Sequence, residues 1–384
     1  MYRYEEIRQV HLEPTTRCNA ACPMCARNTR GVTAPGLALT DLSLESFKKI
    51  FPEELLARLT ALDLCGSYGD PALATDLIEI ITYARHINPQ CAISTYTNGG
   101  VRSPHWWQRL ARAATPPAHV VFAIDGLEDT NGVYRRGVIF SRVIANAKAF
   151  ISAGGSARWE FLIFRHNAHE VESARTLSTE LGFESFSVKR TARFMDAIFD
   201  HIPEVYDQHD LAKFPIYSAG GAVVGHLRPA EDSMWTSDVA AQYGEPGYGQ
   251  DRLASLLSET PIRCRAQNTK SVFVSATGHA FPCPWTYVQA TRPTQSRFPP
   301  EANWQTRELL DRSGGFDGIH ALRVGLRTAV EGPFFAAIAS SWSCPSISGG
   351  RLQICARTCG TAVSAHFEEF DDHKRRLPSS EQPQ

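Results

Sequence analysis

The stretch Arg17-Cys18-Asn19-Ala20-Ala21-Cys22-Pro23-Met24-Cys25 places three cysteines in eight positions, directly after the apolar run Val10-His11-Leu12-Glu13-Pro14. Three is an odd number and the gaps are too short for relaxed disulfide geometry, so these thiols are not a disulfide set. Ligation is the natural alternative. Closely spaced thiolates hold three irons of a [4Fe–4S] cube and leave the fourth iron open, because a short loop lets each sulfur approach a different corner. Zinc is a competing reading, although zinc sites favour pairs spaced by two to four residues. Three unrelated buried cysteines are another.

With 384 residues, 43% of them hydrophobic, the chain has material for a large core, and its length suits two domains or a barrel with an appendage. A net charge of −1 gives no electrostatic reason to expect nucleic acid or an anionic membrane as partner. The N-terminal MYRYEEIRQVHLEP is acidic where a secretory signal would be apolar, and no stretch reaches the length of a membrane span. A cytoplasmic location is the expectation. Ten cysteines in a reducing compartment are better explained by ligation or burial than by a disulfide framework.

Outward from the cysteine stretch, residues 8–191 alternate short apolar β-type runs with amphipathic segments, the signature of βα units around a parallel sheet. Six strands are expected: QVHLEP (9–14), LTALDLCG (59–66), CAISTYTN (91–98), HVVFAIDG (119–126), ARWEFLIF (157–164) and SFSVKR (185–190). Between them lie LSLESFKKIF, DLIEIITYARHI, HWWQRLARAA, SRVIANAKAFISAGG and EVESARTLSTELGF, with apolar spacing near the helical period. Gly154 and Gly182 stand where glycines terminate helices. Right-handed crossovers allow either a barrel or a doubly wound sheet. Residues 192–262, with AGGAVVGHLRP and QYGEPGYGQD, read as a bridge of loops and one or two short helices. SVFVS and HAFPC around Ala276-Thr277-Gly278 predict a β-hairpin, FFAAIASSW a helix, and KRRLPSSEQPQ a disordered tail.

Cys18, Cys22 and Cys25 have the CxxxCxxC spacing of the radical S-adenosylmethionine (radical SAM) enzymes, placed after a first strand as in that superfamily. Similar landmarks follow in the same order: Gly66-Ser67-Tyr68-Gly69-Asp70-Pro71, TYTNGG (95–100) and FAIDG (122–126). The resemblance implies an α/β fold, a partial (β/α)6 TIM-type barrel, with a [4Fe–4S] cluster and S-adenosylmethionine (SAM) on its open iron. Loops at the carboxyl ends of parallel strands are where such folds bind ligands. Tyr68-Gly69-Asp70 resemble the family's Gly-Gly-Glu segment, which meets the methionine amino group; Asp70 is one methylene shorter than the usual Glu. Met24 replaces an aromatic found in many members. Asn98 and Asp125 are similar to SAM-pocket positions, and Arg135 to a carboxylate-binding arginine. The bland readings are a turn for Asn98 and Asp125 and a solvated arginine. Lys189 is a weaker candidate.

Cys264, Cys283, Cys355 and Cys359 resemble the ligands of a small twitch or SPASM-like extension carrying one auxiliary [4Fe–4S] cluster, with Cys344 able to replace one of them. The resemblance thus divides the chain into a barrel (1–191), a bridging segment (192–262), an auxiliary-cluster domain (263–362) and a tail (363–384). Cys91 is expected to be buried. Cys65, ending the second strand before the glycine-containing loop, is either a small buried side chain or, like Cys344, a catalytic hydrogen donor. His166 and Asn167 could face substrate, His169 reads as surface, and Trp106-Trp107 as packing.

What the resemblance implies for activity is reductive cleavage of SAM to a 5′-deoxyadenosyl radical, which abstracts hydrogen from a small metabolite or short peptide in a biosynthetic pathway. An external one-electron donor such as flavodoxin or ferredoxin is implied as partner, with no nucleic acid and no membrane. An auxiliary cluster favours net oxidation, by dehydrogenation or crosslinking. A cysteine donor would instead make the enzyme an epimerase of a sugar or peptide, and a non-enzymatic iron–sulfur or zinc protein is the reading from another class.

Overall fold

A computed structural model describes residues 1–194, 213–230, 250–292 and 304–362. The six expected strands are all present: β1 (Gln9–Leu12), β4 (Ala61–Leu64), β5 (Ala92–Thr97), β6 (His119–Ala123), β7 (Ala157–Leu162) and β8 (Ser185–Lys189). They pair in parallel in that order. The connecting helices include α1 (Leu44–Ile50), α3 (Leu77–Ile87), α4 (Pro104–Ala113), α6 (Phe140–Ser152) and α7 (Val171–Glu180), with the short α2 (Glu53–Leu56) and α5 (Asn131–Tyr134) between them. The array is a partial TIM-type barrel rather than a doubly wound sheet, because strand order follows chain order without a reversal.

The register separates two faces. Val10 and Leu12 of β1 align with Leu62 and Leu64 of β4, and Val120 and Phe122 of β6 with Ala157 and Trp159 of β7. All of these are buried. Trp107 of α4 packs on Phe122 with ring centroids 5.2 Å apart, so the large aromatics close the layer between sheet and helices. The opposite face carries His11, Asp63, Tyr96, Glu160 and Lys189, and Lys189 Nζ lies 2.6 Å from Glu160 Oε1. A barrel whose inner layer is polar is lined for a ligand rather than filled as a core. Helix starts are locally encoded: the Ser103 side chain accepts from Trp106 N, with Pro104 in the first turn.

The hairpin expected near Gly278 forms from β11 (Ser271–Val274) and β12 (Ala280–Phe281), and it joins the barrel. Strand β11 pairs in parallel with β1, Leu12 opposite Val274, giving an eight-stranded sheet that starts with residues from the C-terminal third. Two smaller hairpins were not anticipated. Asn28–Thr29 (β2) pairs with Val32–Thr33 (β3) just beyond the cysteine stretch. Phe214–Tyr217 (β9) pairs with Val223–Leu227 (β10), so the Gly-rich AGGAVVGHLRP is half strand rather than loop, with Ser218–Ala222 closing the turn. The expected helix at Phe334 runs over Pro333–Ser341. The tail at 363–384 and much of the bridging segment lie outside the described residues.

Candidate active site

Strand β1 ends at Leu12 and hands the chain to the cysteine loop at the carboxyl edge of the sheet. The loop is held by bonds among its own residues: Cys25 N donates to Cys22 O at 3.2 Å, Asn28 Nδ2 to Cys22 O at 3.0 Å, and Ala20 N to Cys18 Sγ at 3.4 Å. Cys18, Cys22 and Cys25 are all free thiols. Burial raises the Cys18 thiol, with Asp70 and then the Cys25 and Cys22 sulfurs adding to the effect. Cys22 is pushed up to about 11 by burial, against the pull of Arg135. A cluster binds cysteines as thiolates, so its positive charge would have to offset the burial that holds these thiols protonated. Among the described residues no three His, Cys, Asp or Glu side chains converge on a point where one metal ion could be held. The thiols of a cube surround a core larger than one ion, each ending on a different iron.

The loop after β4 lies directly against this one. A Cβ on Gly69 would stand 1.7 Å from Thr15 O, and one on Gly66 would stand 2.0 Å from Gly69 O, so both glycines are required by close backbone approach. Asp70 N donates to Arg17 O at 2.8 Å. The Asp70 carboxylate accepts from Ala72 N (3.0 Å) and Thr97 Oγ1 (2.7 Å) through Oδ1, and from Asn98 N (2.8 Å) through Oδ2. It therefore staples this loop to the end of β5. Burial raises its pKa, while Asn98 N, Thr97 and Ala72 N favour the anion.

Asn98 extends the staple to the cysteines: Nδ2 donates to Asn19 Oδ1 at 2.9 Å and lies 3.9 Å from Cys18 Sγ, and Oδ1 accepts from Gly100 N at 2.9 Å. Asp125, at the end of β6, is wholly buried and accepts from Leu162 N (2.7 Å) and from Arg135 Nε (2.6 Å). Arg135 is mostly covered rather than free in solvent, and its Nη1 lies 3.9 Å from Cys22 Sγ. Burial opposes its charge, and Asp125 more than compensates. The sequence-derived Tyr68, Gly69, Asp70, Asn98, Asp125 and Arg135 thus meet the three cysteines at one edge.

Arg27 and Glu13 belong to the same edge and were missed. Arg27 is buried, donating to Thr16 O and, at 3.2 Å, to Tyr68 O, and so cross-links the two loops. Glu13 is wholly buried and accepts from Tyr68 N at 2.6 Å and, longer, from Gly69 N at 3.4 Å. Burial lifts its carboxyl to about 7, against the backbone donors and the Tyr287 phenol. The only signal in the sequence was a carboxylate inside the apolar run VHLEP. Asn167, which could have faced substrate, instead accepts from Phe164 N and donates to Asp125 O and Leu162 O, so its amide holds the backbone. His166 stacks on Phe164.

Cys65 follows β4 on the inner-face parity, and its thiol is pushed up to about 12 by burial, with Asp63, Glu160, Glu13 and Asp70 adding to the effect. Cys91 is buried as expected. In the C-terminal third, Cys264 and Cys283 precede the first turns of the helices Arg265–Thr269 and Pro284–Thr291, while Cys355 and Cys359 share a face of Gln353–Cys359. The Cys264 thiol is raised first by a hydrogen bond with Cys359, then by burial and by Cys283; Cys355 is raised by burial, then by Cys283. Cys264 and Cys359 thus share a hydrogen bond, and Cys283 acts on both Cys264 and Cys355. Cys344 lies in the turn after Pro333–Ser341, against Gly350, with its carbonyl receiving Arg351 Nη1 at 3.5 Å.

The first strand of a parallel partial barrel thus delivers three thiols beside a glycine-containing loop. Residues 12–175 match the Radical SAM superfamily, and the chain carries a radical SAM domain over that span. The family implies a [4Fe–4S] cluster and SAM. Solved structures are similar at low identity. SuiB of Streptococcus suis bound to S-adenosylmethionine is 14% identical with a TM-score of 0.46, over 72% of this chain and 60% of that one. Native anSMEcpe with bound AdoMet is 12% identical with a TM-score of 0.48, over 96% of each chain. BtrN in complex with AdoMet and 2-DOIA is 10% identical with a TM-score of 0.40, over 95% and 97%. This chain thus spans about 60% of the length of SuiB. No curated protein matches it in sequence. Among the described residues no helix is long and apolar enough to cross a membrane.

Proposed function

We propose that the chain is a radical SAM oxidoreductase in which Cys18, Cys22 and Cys25 hold the [4Fe–4S] cluster and the Tyr68–Asp70 loop, Asn98, Asp125 and Arg135 form the SAM pocket. One-electron reductive cleavage of SAM to a 5′-deoxyadenosyl radical is the chemistry such a cluster supplies. The observation that carries the reading is the hydrogen-bonded chain from Asp70 through Asn98 to the Cys18 sulfur, which fixes a loop of SAM-binding type against the cysteine loop. Arg135 places a positive charge between Asp125 and Cys22, where it favours the ionised thiol. The polar inner face, with Asp63, Tyr96, Glu160 and Lys189, suits a small polar metabolite or a short peptide. The four C-terminal cysteines hold an auxiliary [4Fe–4S] cluster that accepts an electron in a net oxidation, and an external flavodoxin or ferredoxin supplies the first one.

Reduced, anaerobically reconstituted protein with SAM is expected to release 5′-deoxyadenosine and methionine; zinc at stoichiometric level without acid-labile sulfide would sink the reading. Asp70→Asn keeps the shape of the staple but turns an acceptor into a donor facing the N–H of Asn98, Ala72 or the Thr97 hydroxyl. SAM affinity should fall about tenfold, measured by equilibrium dialysis.

Cys65 favours a second reading. Its protonated thiol lies at the inner face beside Asp63 and Glu160, as a hydrogen-atom donor to a substrate radical would. Turnover in deuterated water separates the two. Under net oxidation Cys65→Ala still forms product and no deuterium enters the reacting carbon. Deuterium that appears in the wild type and is lost with Cys65→Ala or Cys344→Ala would make the enzyme an epimerase.

A further inference from the structure

Glu13 is the buried titratable group at the site to which neither the cysteines nor the SAM landmarks give a role. Its Oε1 gathers the N–H groups of Tyr68 and, at longer range, Gly69, and the Ser67 N–H and the Tyr287 phenol also face the carboxylate. A planar trans peptide directs its C=O opposite to its N–H. N–H groups drawn toward Glu13 therefore turn the Ser67 and Tyr68 carbonyls away from it. The Tyr68 carbonyl shows where that is, for it meets Arg27 Nη1 at 3.2 Å on the side of the cysteine loop.

Glu13 is itself backed by the C-terminal third. The Tyr287 phenol faces its carboxyl, and the Tyr287 ring lies edge-on to Tyr68 at 5.4 Å. One turn further along the same helix, Thr291 Oγ1 is 3.0 Å from Tyr68 Oη. The helix Pro284–Thr291 thus grips the loop from behind at two points.

We infer that Glu13, braced by Tyr287 and Thr291, is a positioning residue that aims the Ser67–Tyr68 carbonyls at the ammonium group of SAM, so that residues of the C-terminal third help to set SAM affinity. The inference rests on the SAM pocket proposed above. It makes the effect of Glu13 specific to the amino-acid end of the ligand, since the adenosine end is beyond the reach of these carbonyls.

The test uses full-length, anaerobically reconstituted protein and three probes: SAM, S-adenosylhomocysteine and 5′-methylthioadenosine, which lacks the amino-acid part. Glu13→Ala is expected to weaken SAM and S-adenosylhomocysteine about tenfold or more and to leave 5′-methylthioadenosine and iron content unchanged. Tyr287→Phe keeps the ring and removes only the hydroxyl; it should produce the same selective loss, a few-fold in size, and remains informative if Glu13→Ala fails to fold. Equal loss for all three probes, or loss in step with iron, would reduce Glu13 to a structural part and overturn the inference. Unchanged SAM affinity in both variants beside a SAM-binding wild type overturns it alone, whereas a wild type that binds no SAM overturns the proposed pocket as well.

Discussion

Replacing Cys18, Cys22 and Cys25 together by alanine is expected to lower the iron of reconstituted protein from about eight atoms per chain to about four and to abolish 5′-deoxyadenosine formation. On the proposal made above, the four that remain would belong to an auxiliary cluster on Cys264, Cys283, Cys355 and Cys359. The two sets are anchored differently. The first sits in a loop tied to β5 and β6 through Asn98 and Arg135. The second set comes from three helices, with Arg263 N donating to Cys359 O at 2.9 Å. Iron analysis with acid-labile sulfide reads the result; a triple variant that keeps SAM cleavage refutes the three-cysteine assignment.

Gly69→Ala should be nearly as damaging although it removes nothing. The added methyl would stand 1.7 Å from Thr15 O and 2.5 Å from Thr15 C, both backbone atoms with no rotamer to yield. The loop must retreat by more than an ångström, taking with it the Tyr68 and Asp70 contacts to Arg27, Glu13 and Asn98. Misplacement on that scale costs on the order of a hundredfold in a positioned reaction. Gly132→Ala is the control, since a Cβ there meets nothing within 4 Å. SAM-dependent 5′-deoxyadenosine release should fall about a hundredfold in the first and stay level in the second; equal activity would show that the loop is free to move.

Much of this site is local and therefore readable. The thiol spacing, the glycines before Asp70 and the Asn-Gly and Asp-Gly pairs after strands lie in single short stretches, and the parallel strands announce themselves by apolar runs such as Val120-Val121-Phe122. What stayed hidden depends on contacts far apart in the chain. Arg27 and Glu13 look like ordinary charged residues until Tyr68 is brought to them across some forty to fifty-five positions. Asn167 looked like a ligand because its position after β7 faces the right edge, yet the backbone around Phe164 and Asp125 consumed its amide. Strand β9 was missed because Pro215 argues against a strand unless its missing N–H falls where no partner is needed. The two-residue β2 and β3 have no periodicity to read.

The pairing of β11 with β1 has a consequence for how the chain is made. Strand β1 leaves the ribosome well before its neighbour on that side, which is not synthesised until residue 271. At ordinary elongation rates the nascent barrel carries an open edge for on the order of tens of seconds. During that interval a row of unpaired N–H and C=O groups, backed by apolar Val10 and Leu12, is available to any other strand. A fragment ending where the radical SAM match ends, at residue 175, never closes it. Yield from cells therefore depends on what shelters β1 until its partner arrives, which makes elongation speed through the middle of the message, and chaperone supply, determinants of how much barrel is recovered.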